Sequence, residues 1–235
     1  MSVLSDVRIL EKIYEKKIII DPFVFDNVQP SSIDLTLDCD IKIPKINIEH
    51  DINVFDKNLE EYFDNKMLDQ YVLKPGDLII AQIKETIKLT KMFNANILNR
   101  NSLIKLGINV SLSSYINPGY CGKLPIVISN MGKFNIKLVP CMRICQLVIY
   151  DVFPEPENDY STKSDSKYFG EKDISLSKIY QDVEFREYLE KYNKNHNDKI
   201  DNDSLTNFLS ERIKSKAKSI IGDLTSEEKV KLGLI

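Results

Sequence analysis

Short runs of β-branched and other apolar residues, separated by turn signals, fill the chain from "IIIDPF" at residue 18 to "LVIYDVF" at residues 147–153. The turn signals include "KPGD" at 74–77, "INPGY" at 116–120 and "VPCM" at 139–142. Proline and glycine favour tight turns, and β-branched residues favour strands. Many short strands with regular turns predict an all-β sandwich or barrel rather than alternating strands and helices.

The two ends of this β-rich region have different patterns. Residues 4–17 repeat apolar residues at helical spacing, and Ser5 is placed to cap the first turn. After Pro154 the chain becomes polar, and we interpret residues 154–181 as a closing arm. The sequence therefore predicts one β domain over residues 1–181, which begins with a short helix and ends with this arm.

The remaining residues, 182–235, are predicted to form a helical C-terminal extension. Its apolar positions repeat at helical spacing and include Leu205, Phe208 and Ile213. Thr225 and Glu228 have the spacing of a capping box for a last helix. The basic run "RIKSKAK" is better explained as a solvated helix face than as a nucleic-acid contact. The extension is a candidate surface for a protein partner.

The net charge of the chain limits the kinds of partner that it can bind. The 235-residue chain has a net charge of -3, which argues against a broad contact surface for a nucleic-acid polymer or an anionic membrane. A local group of Lys and Arg can still hold a small anion. No apolar run approaches the roughly 20 residues of a membrane span, and the N-terminus is charged where a secretory segment is apolar. We expect a cytoplasmic protein whose four cysteines stay reduced.

Zinc-dependent deamination of nucleobases needs an H-x-E motif and a distant P-C-x-x-C motif. Cys141 follows Pro140, but the next cysteine, Cys145, is one residue too far away, and neither His50 nor His196 begins H-x-E. The sequence also has no phosphate-binding P-loop, dinucleotide glycine motif or G-x-S-x-G elbow. We therefore predict no zinc and no metal bound directly by the protein.

Several separated stretches follow one another in the order and spacing of a known family. They are "VQPSSIDLTL" at 28–37, "NRNSLIKLGINV" at 99–110, "YINPGYCGKLPIVISNMGK" at 115–133, "IKLVPCMRICQLVIYDV" at 136–152 and "YSTKSDSKYFGEKDISLSKIY" at 160–180. Together they resemble the dCTP deaminase branch of the dUTPase superfamily across about residues 1–181. Each stretch alone is a weak signal, and their common order makes the match specific.

The resemblance implies a mainly β fold, a distorted jelly roll or β-barrel of the dUTPase-like type. It also implies a homotrimer with each site shared between subunits. The implied ligands are dCTP or dUTP with Mg²⁺, and the implied reaction is zinc-independent hydrolytic deamination of dCTP to dUTP and ammonia. Such an enzyme of nucleotide metabolism is a hydrolase acting on the C–N bond of a cyclic amidine. Pyrophosphate release from dUTP is an alternative reaction.

The phosphate-binding loop of the family aligns with "RNSLIK", so the resemblance places Arg100, Asn101, Ser102 and Lys105 on the phosphates. Arg and Lys supply charge, and Ser and main-chain N–H groups supply directed donors at a turn. Lys105 replaces a second arginine, which keeps the charge and loses bidentate geometry. Gln146 matches a glutamine whose amide can contact a base or phosphate.

Three residues of the arm also align with the family. Tyr160 and Lys167 match a tyrosine and a lysine that close over the substrate, where a ring and an ammonium group can cover it and exclude water. Glu171 stands where the family has glutamine. An acid beside a triphosphate is repulsive unless Mg²⁺ or Lys172 compensates.

Two acids of the family are absent from their usual positions. The glutamate that moves protons during deamination corresponds to Val127, and the aspartate of the turn corresponds to Asn117. Asn117 can hydrogen-bond a sugar hydroxyl but cannot act as a base near neutral pH. A positioned general base contributes roughly 10² to 10⁴ in rate. Glu171 and Asp34 are the nearest alternative acids, and Asp34 is better explained as structural.

Two classes of function follow. In the first, the protein is a dCTP deaminase-like enzyme that uses another acid, or one supplied by a paralogous subunit. In the second, it is a nucleotide-binding trimer without turnover, such as a sensor, a regulator or an assembly module that uses the helical extension.

Overall fold

A computed structural model of the chain describes residues 2–46, 48–49, 51–110, 114–163, 165–192 and 202–223. The strands are β1 (Ile18–Asp21), β2 (Val28–Gln29), β3 (Ser32–Pro44), β4 (Phe63–Met67), β5 (Leu78–Leu89), β6 (Phe93–Asn99), β7 (Ile108–Val110), β8 (Ser114–Ile116), β9 (Cys121–Asn130) and β10 (Arg143–Asp151). The helices are α1 (Asp6–Tyr14), α2 (Asn101–Ile104), α3 (Val183–Tyr192) and α4 (Asn202–Asp223). The predicted capping pair, Thr225 and Glu228, lies outside the described residues.

The local predictions in the β-rich region are confirmed. Each of the three predicted turns is closed by a main-chain hydrogen bond: Asp77 N–H to Lys74 O (3.0 Å), Tyr120 N–H to Asn117 O (3.2 Å) and Met142 N–H to Val139 O (3.2 Å). At the N-terminus, α1 begins after Ser5, whose side chain accepts a hydrogen bond from the main-chain N–H of Arg8. Turn and cap chemistry therefore sets the ends of these elements.

The strands form one curled antiparallel sheet. Their order is β7-β9-β5-β3-β10-β6-β8, with β1 beside β5 and with β2 and β4 beside β3. The long strand β3 pairs with β10 through its first part and with β5 and β4 through its second part. The register with β5 shifts between Leu37 and Ile41, and such irregularities bend a strand and let a sheet curl. The prediction of a mainly β fold is confirmed.

Isoleucine and leucine side chains fill the inside of the curl, and Ile79, Ile83 and Ile87 of β5 are fully buried on one side of that strand. Glu85 is buried among them, with 2% of its surface exposed. Its carboxylate accepts hydrogen bonds from the main-chain N–H (3.0 Å) and the hydroxyl (2.7 Å) of Thr36. Because an unpaired buried carboxylate is costly, these bonds favour one register of β5 against β3 beside the bend.

The chain forms two compact units, Met1–Ser177 and Lys178–Ile235. The first unit contains α1, the sheet, α2 and the predicted arm as far as Ser177. The predicted boundary at residues 181 and 182 stays a prediction. None of the helices in the described part of the chain is both long and apolar enough to cross a bilayer.

The second unit contains α3 and α4, as the helical pattern predicts. The ring of Tyr188 on α3 lies 5.7 Å from the ring of Phe208 on α4. Leu205 and Phe208 are buried, whereas Ile213, on the same predicted stripe, is 69% exposed. With 10 residues, α3 is about half as long as α4, with 22 residues, and can cover only part of it.

Candidate functional site

A cavity of about 780 Å³ lies beside the turn between β8 and β9. Its lining includes Asn117 of the turn, Val127 of β9, and Tyr160 and Glu171 of the arm. Val127 is 39% exposed, and Glu171 is half-buried. Four residues selected from two separate stretches of sequence therefore meet at one cavity.

The rest of the cavity wall is mainly apolar and aromatic, with Tyr115, Tyr120, Tyr168 and Leu124 among its residues. Tyr120 is buried, and its hydroxyl donates a hydrogen bond to the carbonyl of Lys123 (3.0 Å). Burial raises the pKa of Tyr120 well above its ordinary value, and the charge of Glu171 raises it further. Tyr120 therefore stays a neutral phenol near neutral pH and cannot serve as a base there.

The arm is held to β9 by main-chain hydrogen bonds. The N–H of Lys123 donates to the carbonyl of Glu171 (2.8 Å), and the N–H of Gly170 donates to the carbonyl of Cys121 (2.7 Å). Nearer the turn, the N–H of Tyr160 donates to Pro118 (2.8 Å). These bonds fix the part of the arm that carries Glu171 to the cavity wall.

Gly122 makes this close approach possible. Its φ of +149° lies in a region that favours glycine, and a Cβ built there would be 3.0 Å from Glu171 N and 3.1 Å from Glu171 O. A side chain at this position would therefore press on the main chain of the arm, which would have to move by a few tenths of an ångström.

We expect Gly122→Ala to loosen the arm. Backbone strain and the new contacts cost about 1 to 3 kcal/mol, which increases arm opening by roughly 5-fold to 150-fold. Limited trypsin digestion should then cleave at the arm lysines, such as Lys163, faster than in the wild type. Gly76→Ala is the matched control, because Gly76 also has a positive φ (+85°) but a Cβ there meets nothing within 4 Å. Equal cleavage of both variants would contradict the role of Gly122.

A second group of predicted residues surrounds Asp34, which is 2% exposed. The Nε atom of Arg100 lies 3.6 Å from Asp34 Oδ1, and Nη1 of Arg143 lies 3.2 Å from Asp34 Oδ2. Arg100 Nη1 also donates to the carbonyl of Arg143 (2.9 Å). Two guanidinium groups thus share one buried carboxylate, so this cluster keeps an excess positive charge that suits an anion.

The other predicted phosphate-loop residues lie around this cluster. Asn101, Ser102 and Lys105 are exposed at α2, immediately after Arg100. Gln146 is opposite Asp34 in the pairing of β10 with β3, and its side-chain amide lies 3.4 Å from the hydroxyl of Ser32. The predicted loop and Gln146 are therefore on one side of the sheet.

Within one chain, this cluster is separated from the cavity. Ile116, next to Asn117, pairs with Ala95 of β6, whereas Arg100 follows the other end of β6. Five residues of extended strand span about 16 Å. Lys167 is beside the cavity, with its Nζ atom 5.9 Å from the centre of the Tyr168 ring. One chain therefore holds the predicted site residues in two groups.

No group of three His, Cys, Asp or Glu side chains suited to a metal ion occurs among the described residues. Cys145 is fully buried in β10, and burial raises the pKa of its thiol far above the ordinary value. Cys141 is exposed in the turn before β10. The two cysteines thus occupy different environments.

The sequence model described as dCTP deaminase-like matches residues 3–152. The chain belongs to the dCTP deaminase-like family. Two relatives carry the name "dCTP deaminase, dUMP-forming". The one from Methanosphaera stadtmanae is 34% identical over 191 residues, which cover 78% of this chain and 97% of the relative. The one from Nanoarchaeum equitans is 36% identical over 199 residues, which cover 76% of this chain and 98% of the relative.

A solved structure supports the fold of this family member. The crystal structure of 2′-deoxycytidine 5′-triphosphate deaminase from Agrobacterium tumefaciens matches with a TM-score of 0.50 and 22% sequence identity. The match covers 63% of this chain and 47% of that chain. The predicted fold class, a dUTPase-like β fold with a short N-terminal helix and a helical C-terminal extension, is confirmed.

Sequence reasoning missed several residues of both groups. Tyr120 and Tyr168 were within quoted stretches, but their contact with the cavity depends on how the arm folds back. Ser175 also lines the cavity, and its buried hydroxyl has no hydrogen-bond partner in the part of the chain that the structure describes. Arg143 lies in the quoted stretch at 136–152, and its charge at the start of a buried strand was the signal for an inward ion pair.

Proposed function

We propose that this family member binds a pyrimidine deoxynucleoside triphosphate at sites shared between copies of a homotrimer, and that it deaminates dCTP by hydrolysis. The cavity beside β9 would hold the base and sugar, and the Arg100 cluster of a neighbouring copy would hold the phosphates. The names of the relatives point to dCTP as substrate and to dUMP as final product. Release of ammonia alone would instead give dUTP.

The observation that carries this proposal is the meeting of Asn117, Val127, Tyr160 and Glu171 at one cavity. An amide at the turn can hydrogen-bond a sugar hydroxyl, and aromatic rings can stack on a pyrimidine. The excess positive charge at Asp34 and Arg100 suits phosphate oxygens. Because one chain separates these two groups, a second copy would be needed to complete the site.

Mg²⁺ would enter with the triphosphate. Phosphate oxygens and water are its usual ligands in nucleotide complexes, and they need few protein ligands. Asp34, the carboxylate within the Arg100 cluster, is already paired with two arginines. The residues thus fit an ion carried by the nucleotide, which would offset negative charge on the phosphates.

A second candidate function is nucleotide binding without turnover, as in a sensor or an assembly module. Val127 and Asn117 favour it, because both stand at cavity positions where the family has acids. The second unit would then supply a partner surface, for which the exposed Ile213 on α4 is one contact.

One set of measurements separates these functions. The purified full chain is incubated with dCTP or dUTP and Mg²⁺, ammonia and pyrophosphate are measured, and binding is followed by calorimetry. Ammonia from dCTP supports the deaminase, and pyrophosphate from dUTP indicates dUTP pyrophosphatase-like activity. Binding without either product selects the second candidate. If neither nucleotide binds, the proposal is wrong.

Arg100→Ala is expected to weaken binding of the triphosphate about tenfold or more, because one charge-assisted contact to phosphate contributes roughly 1.5 to 3 kcal/mol. Calorimetric titration with dCTP and Mg²⁺ measures the change. Lys66→Ala is the matched control, since Lys66 is an exposed cation on β4, outside both groups. An equal loss in both variants would show that only net charge matters.

A further inference from the structure

Among the described residues that line the cavity, Glu171 is the carboxylate. Val127 and Asn117 cannot exchange protons near neutral pH, and Tyr120 is held as a neutral phenol. Asp34 is buried between Arg100 and Arg143, in the other group. We propose that Glu171 is the catalytic carboxylate of this protein and replaces, from the arm, the acid that β9 lacks at Val127. This inference rests on the proposed deaminase function.

The position of Glu171 is fixed by contacts on both sides of its main chain. Its carbonyl accepts a hydrogen bond from the N–H of Lys123 (2.8 Å), and the side-chain amide of Gln82 donates to the carbonyl of Lys172 (3.2 Å). Gln82 is itself 4% exposed, so its amide is a firm anchor. A catalytic group needs such support, because its geometry must be maintained while the substrate reacts.

Glu171 lines the same cavity as Tyr120 and Tyr160. Its charge acts on Tyr120, which is in ring contact with Tyr160 at 6.1 Å between centres. Leu124 and Val127 make the neighbouring wall apolar. Ser175, four residues after Glu171, brings a buried hydroxyl without a partner in the described structure to the same cavity. This hydroxyl can orient the attacking water beside the carboxylate.

The proposed step balances as cytosine plus water giving uracil plus ammonia. The water oxygen forms a bond to C4, while Glu171 takes one water proton and passes it to ring N3. The proton of the new C4 hydroxyl then moves through Glu171 to the amino group. The C4–N bond breaks, ammonia leaves, and the C4 carbonyl forms. Glu171 ends the cycle as a carboxylate, as general acid–base catalysis requires.

Glu171→Gln in the full chain tests the assignment. We expect ammonia release from dCTP to fall by roughly 10² to 10⁴, the usual contribution of a positioned acid–base group. Affinity for dCTP with Mg²⁺ should change by less than about threefold, because glutamine keeps the shape and the hydrogen bonds of the side chain. Asp173→Asn is the matched control: Asp173 is an exposed acid two residues further along the arm and should leave release unchanged.

The double variant Val127→Glu/Glu171→Gln tests the role itself. The double variant returns a carboxylate to β9, at a half-exposed position on the same cavity. Its ammonia release should be at least about tenfold faster than that of Glu171→Gln alone. A residue that only stabilised the arm would not be rescued in this way. Circular dichroism and thermal unfolding serve to check that both variants are folded.

The results that would contradict the role of Glu171 differ from those that would contradict the proposed function. Ammonia release by Glu171→Gln at the wild-type rate overturns the inference, and loss of binding together with release makes Glu171 a binding residue and also overturns it. A wild type that binds dCTP without releasing ammonia rules out the catalytic role and leaves nucleotide binding intact. A wild type that binds neither dCTP nor dUTP removes the proposed function itself.

Discussion

At dCTP concentrations well below the Kd, co-expression of an Arg100→Ala chain with a Glu171→Gln chain is expected to give faster deamination than either variant alone. Each chain carries the Arg100 cluster and the cavity at opposite ends of β6, about 16 Å apart along the strand. If a site takes its cluster from one copy and its cavity from the next, some mixed trimers contain sites with both parts intact. The activity of mixed trimers therefore tests whether the Arg100 cluster and the cavity of one site come from different chains.

The expected recovery can be estimated. In trimers that contain both kinds of chain, about one third of the sites combine an intact Arg100 with an intact Glu171. At limiting dCTP the more active single variant, Arg100→Ala, should reach about a tenth of the wild-type rate or less, so a third of the wild-type rate is a measurable gain. Ammonia release from dCTP by doubly tagged, purified mixed trimers provides the measurement.

The matched control mixes Arg100→Ala with Lys105→Ala. Both changes affect the same loop, so every site receives one altered loop and no recovery is expected. Mixed trimers of Arg100→Ala and Glu171→Gln that remain at background would place both residues in a site within one chain. That result would contradict the shared site while leaving nucleotide binding open to the calorimetric test.

Local chemistry was predictable from the sequence. The turn that positions Asn117 follows from adjacent proline and glycine, and the cap of α1 follows from Ser5. The spacing of the family stretches indicated Val127 and Glu171 as candidates, and their meeting at one cavity is a finding of the structure. These predictions succeeded because each depends on a few neighbouring residues or on a shared pattern.

Contacts set by register and close approach were not predictable. Gly122, without a side chain and at φ +149°, allows the arm to lie close against β9, and one glycine in a strand does not reveal which segment will approach it. The position of Asp34 beside Gln146 depends on the β3–β10 register. Both strands are rich in buried residues, so a shift by two residues would satisfy the same apolar pattern.

The Asp34 cluster gives a stability prediction that does not depend on turnover. Asp34 is 2% exposed, whereas the side chains of Arg100 and Arg143 are 25% and 45% exposed. Asp34→Asn keeps the shape and removes the charge between two guanidinium groups. We expect a loss of about 3 kcal/mol in the free energy of unfolding, the lower end for a broken buried pair, because water partly solvates the arginines. Urea unfolding measures it.

Asp38→Asn on the same strand is the matched control. Asp38 makes one ion pair, with Lys123 at 2.8 Å, and both side chains are more exposed than Asp34, so the loss should be about 1 kcal/mol or less. Arg143→Gln added to Asp34→Asn should cost less than the sum of the two single changes, because the second change removes one of the unpaired charges. Additive losses would mean that Asp34 does not organise the arginines. In that case the hydrogen bond from Arg100 Nη1 to the carbonyl of Arg143, rather than the Asp34 carboxylate, would position the Arg100 guanidinium.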